Sequence, residues 1–471
     1  MAALHQALGI GSLAELRAAC EAGRVRGVKG FGPRTEEKLL EGLKQLETRG
    51  QEVLLHVALR AGEPLLAHVR AGAAITQAEL AGPARRRCET VDRLVVAVGT
   101  ADPAAALEHV LRYPPLITTL EHTLTDAAAL MADGLRVEVA AAPADDYPAL
   151  LHDLTGSAGH RARLAELAAA RGLALDRRGL SEVETQRRLV VESEADLYRH
   201  LGLPYLRPEL REDVGEIEAA LGGTLPADQD LIEEGDIQGM VHCHTVYSDG
   251  ANTVEEMARA AQAMGMRYIT ITDHSPTASY AGGVQLDRLQ RQWEEIARAQ
   301  EKLPGITILR GTESDILADG SLDYPDSVLR QLDVIIASIH NRHRMDEDQM
   351  TRRLVAAMRH PLYKVWGHAL GRYVLRRPPV ACRVEEVLDA AAESRVAIEV
   401  NGNPNRLDMA PPWQREARRR GLRFVISTDA HSLAELKNLR FGVATARKGW
   451  VRRDEVLNTL GVEGFRAAVR P

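Results

Sequence analysis

Six histidines and three carboxylates recur through the second half of this 471-residue chain at the ends of short apolar runs. His242 and His244 in MVHCHTVYSDG are two apart, so on a strand they share one face, and Asp249 follows in the next loop. The stretches ITDHS, ILRGTE, IIASIH, KVWGH and ISTDAH then carry His274, Glu313, His340, His368, and the pair Asp429 and His431. A lone histidine at a strand end is usually a hydrogen-bonded structural residue. Nine titratable groups in one place are different, because desolvation and mutual repulsion would cost several kcal/mol each unless cations offset them. Donors made only of imidazole and carboxylate suit Zn, Mn or Fe(II).

These residues need elements that bring them together. From about Gly239 onward, short apolar runs (YITITD, ITILRGTE, DVIIASIH, VAIEVNG, RFVISTD) alternate with helical stretches, the pattern of a parallel barrel with helices outside. In such a barrel the C-terminal strand ends converge on one mouth, and there the nine residues fall. Residues 1–50 read as short helices around GVKGFGPR; residues 51–180 mix strands (RLVVAVG, LRVEVAA) with helices; residues 181–238, with their prolines and glycine pairs, read as a linker. Gly30 and Gly32 can make a tight turn that presents backbone N–H groups to a phosphate, with Lys29 alongside. The same turn also serves as a plain connector between helices.

Composition narrows the classes. A chain of 471 residues exceeds one ordinary core, so several domains are expected. No apolar run is long enough to span a bilayer, and MAALHQALGI lacks the basic and apolar regions of a secretory signal, so a cytoplasmic protein with no membrane partner is expected. Four scattered cysteines suggest neither a disulfide framework nor a thiolate metal site. A net charge of -7 argues against a chain that coats nucleic acid throughout, though a local basic face remains compatible with phosphate binding.

The quoted motifs HCH…SDG, TDHS, GTE, SIH, GHALGR and STDAH resemble the PHP (polymerase and histidinol phosphatase) domain. The resemblance implies a distorted (β/α)7-type barrel over 239–471 holding three divalent ions (Zn, Mn or Fe). His242, His244, Glu313 and Asp429 would hold the first ion, Glu313, His340 and His368 the second, and Asp249, His274 and His431 the third, with Glu313 bridging. Such ions lower the pKa of a bound water and neutralise phosphate-ester oxygens, so hydrolysis is the expected reaction, with His242, His244, Glu313, His340 and Asp429 at its centre. Arg344, Arg372 and Arg406 are candidates to hold the rest of a phosphate backbone.

The resemblance extends to bacterial family X DNA polymerases through GSLAELRAACEAGRVRGVKGFGPRTEEKLLEGL, RRRCETVDRLVV, LTGSAGHRARLAELAAARGLAL and LGLPYLRPELREDVGEIEAA. It implies a multidomain α/β chain: a helix-hairpin-helix over 1–50, a nucleotidyltransferase-like α+β palm/thumb core over 51–180, the linker, and the PHP barrel. By the same resemblance the chain begins late, without the small domain that holds a gap's 5′ phosphate, which a misplaced start codon would also produce. The polymerase motif departs from the family where its chemistry should lie. Gly82-Pro83 stands for Gly-Ser, and Arg93 and Val95 stand where two metal-binding aspartates belong, leaving Glu138 as the third carboxylate. An arginine there repels Mg²⁺, so a core retained for DNA binding is expected, with Arg85, Arg86, Arg87, Arg161 and Arg163 on phosphates.

The expected activity is a DNA phosphodiesterase, a 3′–5′ exonuclease or repair nuclease acting on single-stranded, gapped or nicked ends, with other repair proteins as further expected partners. A small-molecule phosphatase of the histidinol-phosphatase type and a DNA-binding scaffold without turnover are the other readings; the sequence says nothing of oligomeric state.

Overall fold

The computed structural model describes residues 4, 7–10, 13–28, 30–48 and 52–469. Helices α1 (Leu13–Glu21) and α2 (Pro33–Thr48) are joined by a tight connection. Gly30 adopts φ +93°, open only to glycine at low cost, and the Gly32 carbonyl accepts from the N–H groups of Thr35 and Glu36 to start α2. Arg26 closes the connection 2.6 Å from the buried Glu36. Lys29 lies outside the described residues.

Helix α3 (Leu55–Arg70) buries Leu55, Ala58, Leu59, Gly62, Leu65 and Val69, a helical stripe that must find a partner surface. It finds one in a five-stranded sheet of β1 (Ile75–Ala81), β2 (Arg93–Thr100), β3 (Leu116–His122), β4 (Asp126–Met131) and β5 (Arg136–Ala142). The strand order is β1-β2-β5-β4-β3, with β2 and β5 parallel and their neighbours antiparallel. Leu94, Val96 and Val98 alternate toward α3, while Val95 and Ala97 turn to the other face against α4 (Tyr147–Thr155).

The stretch from 181, expected to be linker, is packed over most of its length. Helix α6 (Glu194–His200) and Leu203, Leu206 and Ile217 share one core with α5 (Ala158–Ala169). The prolines and glycines that suggested a linker sit at turns between short elements, and the leucines between them carry the packing. A charged knot secures it. Glu194 accepts from Arg85 at 2.7 and 2.9 Å and also from Arg211, whose side chain is fully buried. This joins the start of the sheet region, α6 and the segment beyond it.

Seven parallel strands follow in chain order: β6 (Gly239–Cys243), β7 (Tyr268–Ile271), β8 (Thr307–Asp315), β9 (Val334–Ser338), β10 (Val365–Trp366), β11 (Ala397–Asn401) and β12 (Phe424–Ser427). The chain after β12 bonds back to that after β6, His244 N–H to Ala430 O at 2.8 Å and Ala430 N–H to His242 O at 3.1 Å, which nearly closes a barrel. Val241, Leu309, Ile336, Val365, Ala397 and Val425 fill its interior with Phe465 and Val469 of the terminal helix α7 (Val462–Val469). Phe465 stacks on Tyr268, the first residue of β7, so α7 plugs the N-terminal end and polar groups are left to the opposite mouth.

The two halves are in contact. Leu407 and Phe441 of the barrel, 2% and 3% exposed, belong to the same apolar cluster as α3 and β2. Around them Arg372 Nη2 donates to Glu89 at 2.7 Å, Lys448 to the Arg86 carbonyl at 3.1 Å, and Arg447 lies 3.3 Å from Glu209. Among the described residues no helix is long and apolar enough to cross a membrane.

Candidate metal centre

Alternation along β8 puts Leu309, Gly311 and Glu313 on the inward face, so an apolar floor gives way within one strand to a buried carboxylate. Glu313 is the hub. Its Oε2 lies 3.0 Å from His274 Nδ1, 3.3 Å from His242 Nε2 and 3.6 Å from His244 Nε2; its Oε1 lies 2.7 Å from His368 Nε2 and 3.1 Å from His340 Nε2. Asp429 stands 3.4 Å from His244 and 3.7 Å from His242, and Asp249 stands 3.3 Å from His431 and 3.6 Å from His274. The structure therefore brings all nine sequence-derived residues into one mouth.

Their backbone is unusual. His242, Asp429 and His368 have φ of +63°, +49° and +22°, a region that non-glycine residues occupy at a cost, and the pairing of β6 with β7 is irregular between Met240 and Cys243. Strain of this kind re-aims side chains at a mouth where regular strands would not bring them. Gly250 is needed for a different reason: a Cβ there would lie 2.5 Å from the backbone of His244, so the loop carrying Asp249 could not close.

The donor set fits divalent cations. His242 Nε2, His244 Nδ1 and Nε2, His274 Nδ1, His368 Nδ1 and both oxygens of Glu313 are buried without a hydrogen-bond partner, a costly arrangement for a polypeptide alone. Groups able to hold one ion are His244, Asp249, His274 and His431; His242, His244 and Asp429; and His274, Glu313 and His340. This follows the expected threefold division in part, with His244 and His274 each shared between neighbouring groups. Burial resists charge on Glu313, yet His340, His242, His274 and His368 hold its carboxyl well below the usual range. Burial likewise opposes charge on His340, but Glu313 and Asp315 push it up to about 9.

Three positions escaped the sequence reading. Glu399, fully buried, accepts from His242 Nδ1 at 2.5 Å and from the His368 N–H. Asp315 accepts from His340 Nδ1, and Asp273 accepts from Thr245 N–H at 2.7 Å and Gln292 Nε2 at 2.6 Å, fixing the loop after His244. Glu399 and Asp315 set which imidazole nitrogen of His242 and His340 faces the centre. Alternation held the signal for two: Glu399 shares the inward face of β11 with Ala397, and Asp315 lies two residues beyond Glu313. Glu399→Gln is expected to lower turnover roughly 10–100-fold by weakening metal retention. A Mn²⁺ titration should then recover much of the rate, whereas a loss unchanged at saturating Mn²⁺ would exclude that route.

The arginine candidates part ways. Arg406 is buried beside the centre, with Nε 3.2 Å from Asp429, Nη2 2.9 Å from the Tyr373 hydroxyl, and Nη1 without a partner. Arg372 is a correction: it donates to the carbonyls of Arg406 and Leu407, both at 2.8 Å, and to Glu89, so it serves the contact between halves rather than a phosphate. Arg344 is exposed on the turn after His340. Four of the five basic residues expected on phosphates in the first half, all but Arg87, are also engaged: Arg85 with Glu194, Arg86 with Glu212, Arg161 with Asp153, and Arg163 with Glu218.

The nucleotidyltransferase-like position has a different character. Arg93 sits 2.5 Å from Asp92 and 3.0 Å from Glu138, and Arg136 takes the other oxygen of Glu138 at 2.8 Å. Val95, opposite Glu138 in the register, is buried against Tyr147 and Leu151. Guanidinium groups neutralise both Glu138 and the neighbouring Asp92.

Residues 150–212 match the family model of the DNA polymerase beta thumb and residues 241–403 that of the PHP domain. The chain is 33% identical to the DNA polymerase/3'-5' exonuclease PolX of Bacillus subtilis (strain 168), over 100% of this chain and 82% of that protein. A probable phosphatase of Thermoanaerobacter sp. (strain X514) is 27% identical over 46% of this chain and 89% of its own length. Among solved structures, Leishmania infantum polymerase beta in a ternary P/T complex aligns with 45% of this chain and 92% of its own at 18% identity and a TM-score of 0.33.

Proposed function

We infer, because the chain belongs to the PolX family of DNA polymerase/3'-5' exonucleases, that its barrel is a metal-dependent phosphodiesterase trimming DNA ends and that its first half binds DNA without polymerising. The observation that carries this reading is the convergence of His242, His244, His274, His340 and His368 on Glu313, with Asp249, Asp429 and His431 completing the mouth. Three divalent ions, Zn, Mn or Fe, would polarise a phosphate ester and lower the pKa of the attacking water there. The chain's own groups do the rest. Glu399 and Asp315 orient His242 and His340, and Arg406 offers its unpartnered Nη1 to a phosphate oxygen beside Asp429.

Two features support a silent polymerase site. Nucleotidyl transfer needs closely placed carboxylates to hold two cations, and Arg93 with Arg136 occupies the surroundings of Glu138 with positive charge. Val95 offers only an apolar side chain to the same face. The similarity to probable phosphatases over the barrel favours a second reading, a small-molecule phosphatase of the histidinol-phosphatase type.

One set of assays separates these readings. With Mn²⁺, 5′-labelled single-stranded and gapped DNA should shorten from the 3′ end, histidinol phosphate should release little phosphate, and a primer–template with all four dNTPs should show no extension. Phosphate release without DNA shortening would establish the second reading. Primer extension would refute the silent polymerase site.

A further inference from the structure

Tyr280 is 69% exposed, yet it stands at the rim of the metal centre, with its ring centroid 6.2 Å from the rings of both His274 and His340. It sits on a short turn, Ser279–Ala281, in the loop that follows β7. That loop is pinned at several points. Thr277 donates from N–H to Asp323 at 2.7 Å and from its hydroxyl to Asp315 at 3.0 Å. Val284 N–H returns to the His274 carbonyl at 2.8 Å, and a Cβ on Gly283 would lie 2.3 Å from the Ser275 carbonyl, so the backbone there closes tightly. The ring is thus presented on a fixed support instead of being folded into the core.

An exposed aromatic ring held in place next to charged donors gains nothing from its own fold and offers a flat apolar face to a ligand. The half-buried Tyr373 near the mouth is, by contrast, already covered: Arg406 and Arg377 lie 4.4 and 4.6 Å from its ring. Among the described residues no arginine or lysine lies over the Tyr280 ring. A nucleotide whose phosphate lay among the donors would carry its base beyond the sugar, toward the rim where the Tyr280 ring stands 6.2 Å from those of His274 and His340. We propose that Tyr280 is a stacking platform for the nucleobase next to the scissile phosphate, which would make the site selective for nucleotide ends over small phosphate esters. This rests on the DNA phosphodiesterase reading above and names the contact that reading lacks.

The test uses the full chain with Mn²⁺ and two labelled single strands, one with an ordinary 3′-terminal nucleotide and one ending in a tetrahydrofuran abasic analogue. Tyr280→Ala should raise KM for the base-ended strand by roughly 5- to 150-fold, the equivalent of ~1–3 kcal/mol per stacked base at 1.4 kcal/mol per decade. Its KM for the abasic-ended strand and its kcat on both should stay near wild type, and Tyr280→Phe should behave as wild type on both. Equal effects on the two strands, a fall in kcat on both, or no change in KM would each overturn the stacking role while wild-type cleavage leaves the phosphodiesterase reading intact. If the wild-type protein shortens neither strand but hydrolyses histidinol phosphate, both proposals fall together.

Discussion

Glu313→Gln is expected to lower phosphodiester hydrolysis at least ~10³-fold, because metal-ion charge stabilisation is worth several kcal/mol and each 1.4 kcal/mol is a decade in rate. The substitution is nearly isosteric, so the barrel floor under it stays packed, but a carboxylate that meets five imidazoles becomes a neutral amide. An amide cannot bridge two cations, and its NH₂ would point a donor at imidazole nitrogens that need an acceptor. Metal analysis of the purified variant should show fewer ions per chain, alongside a lost rate on labelled DNA at saturating Mn²⁺. Activity within tenfold of wild type with full metal content would contradict the hub role.

The second large effect concerns stability. Glu194→Gln should destabilise the first half by roughly 3–5 kcal/mol, the usual cost of leaving a buried charge without its partner. Arg211 is fully buried and Glu194 is the carboxylate it shares with Arg85, so the amide leaves two guanidinium groups facing each other. Burial raises the Glu194 carboxyl, but Arg211 and Arg85 outweigh it and hold it down to about 2. A depressed carboxylate stabilises the fold above its unfolded pKa, so this contribution is complete above about 4.5 and disappears as pH falls toward about 2. Melting of wild type should fall across that interval, and the variant should lack this part of the fall. Identical acid profiles would show that the knot contributes nothing net.

The barrel and its nine donors were legible because the signal is local: an apolar run that ends in an ionisable residue reads the same in sequence as at a strand end. Glu399 was missed because it lies inside β11, followed by Val400 and Asn401, where a carboxylate looks like a surface residue until the inward face of the strand is known. Arg372 misled for the opposite reason. Its position among donors suggested a phosphate contact, but its partner Glu89 is far away in the chain, and no spacing rule reveals a pairing between halves. The stretch from 181 was misread because turn-forming residues are conspicuous, whereas single leucines such as Leu203 and Leu206 show no period until several short elements are assembled around them.

Leu407 lies sealed against α3 and β2, and the next residue back in the chain reaches Asp429. A single peptide link therefore separates the apolar interior of one half from a guanidinium at the reactive mouth of the other. Isolating the barrel would uncover that leucine and take Glu89 away from Arg372, loosening the segment that carries Arg406. The rate of such a fragment on a simple ester would report a disturbed site, and comparisons of labour between the halves belong to point substitutions in the intact chain.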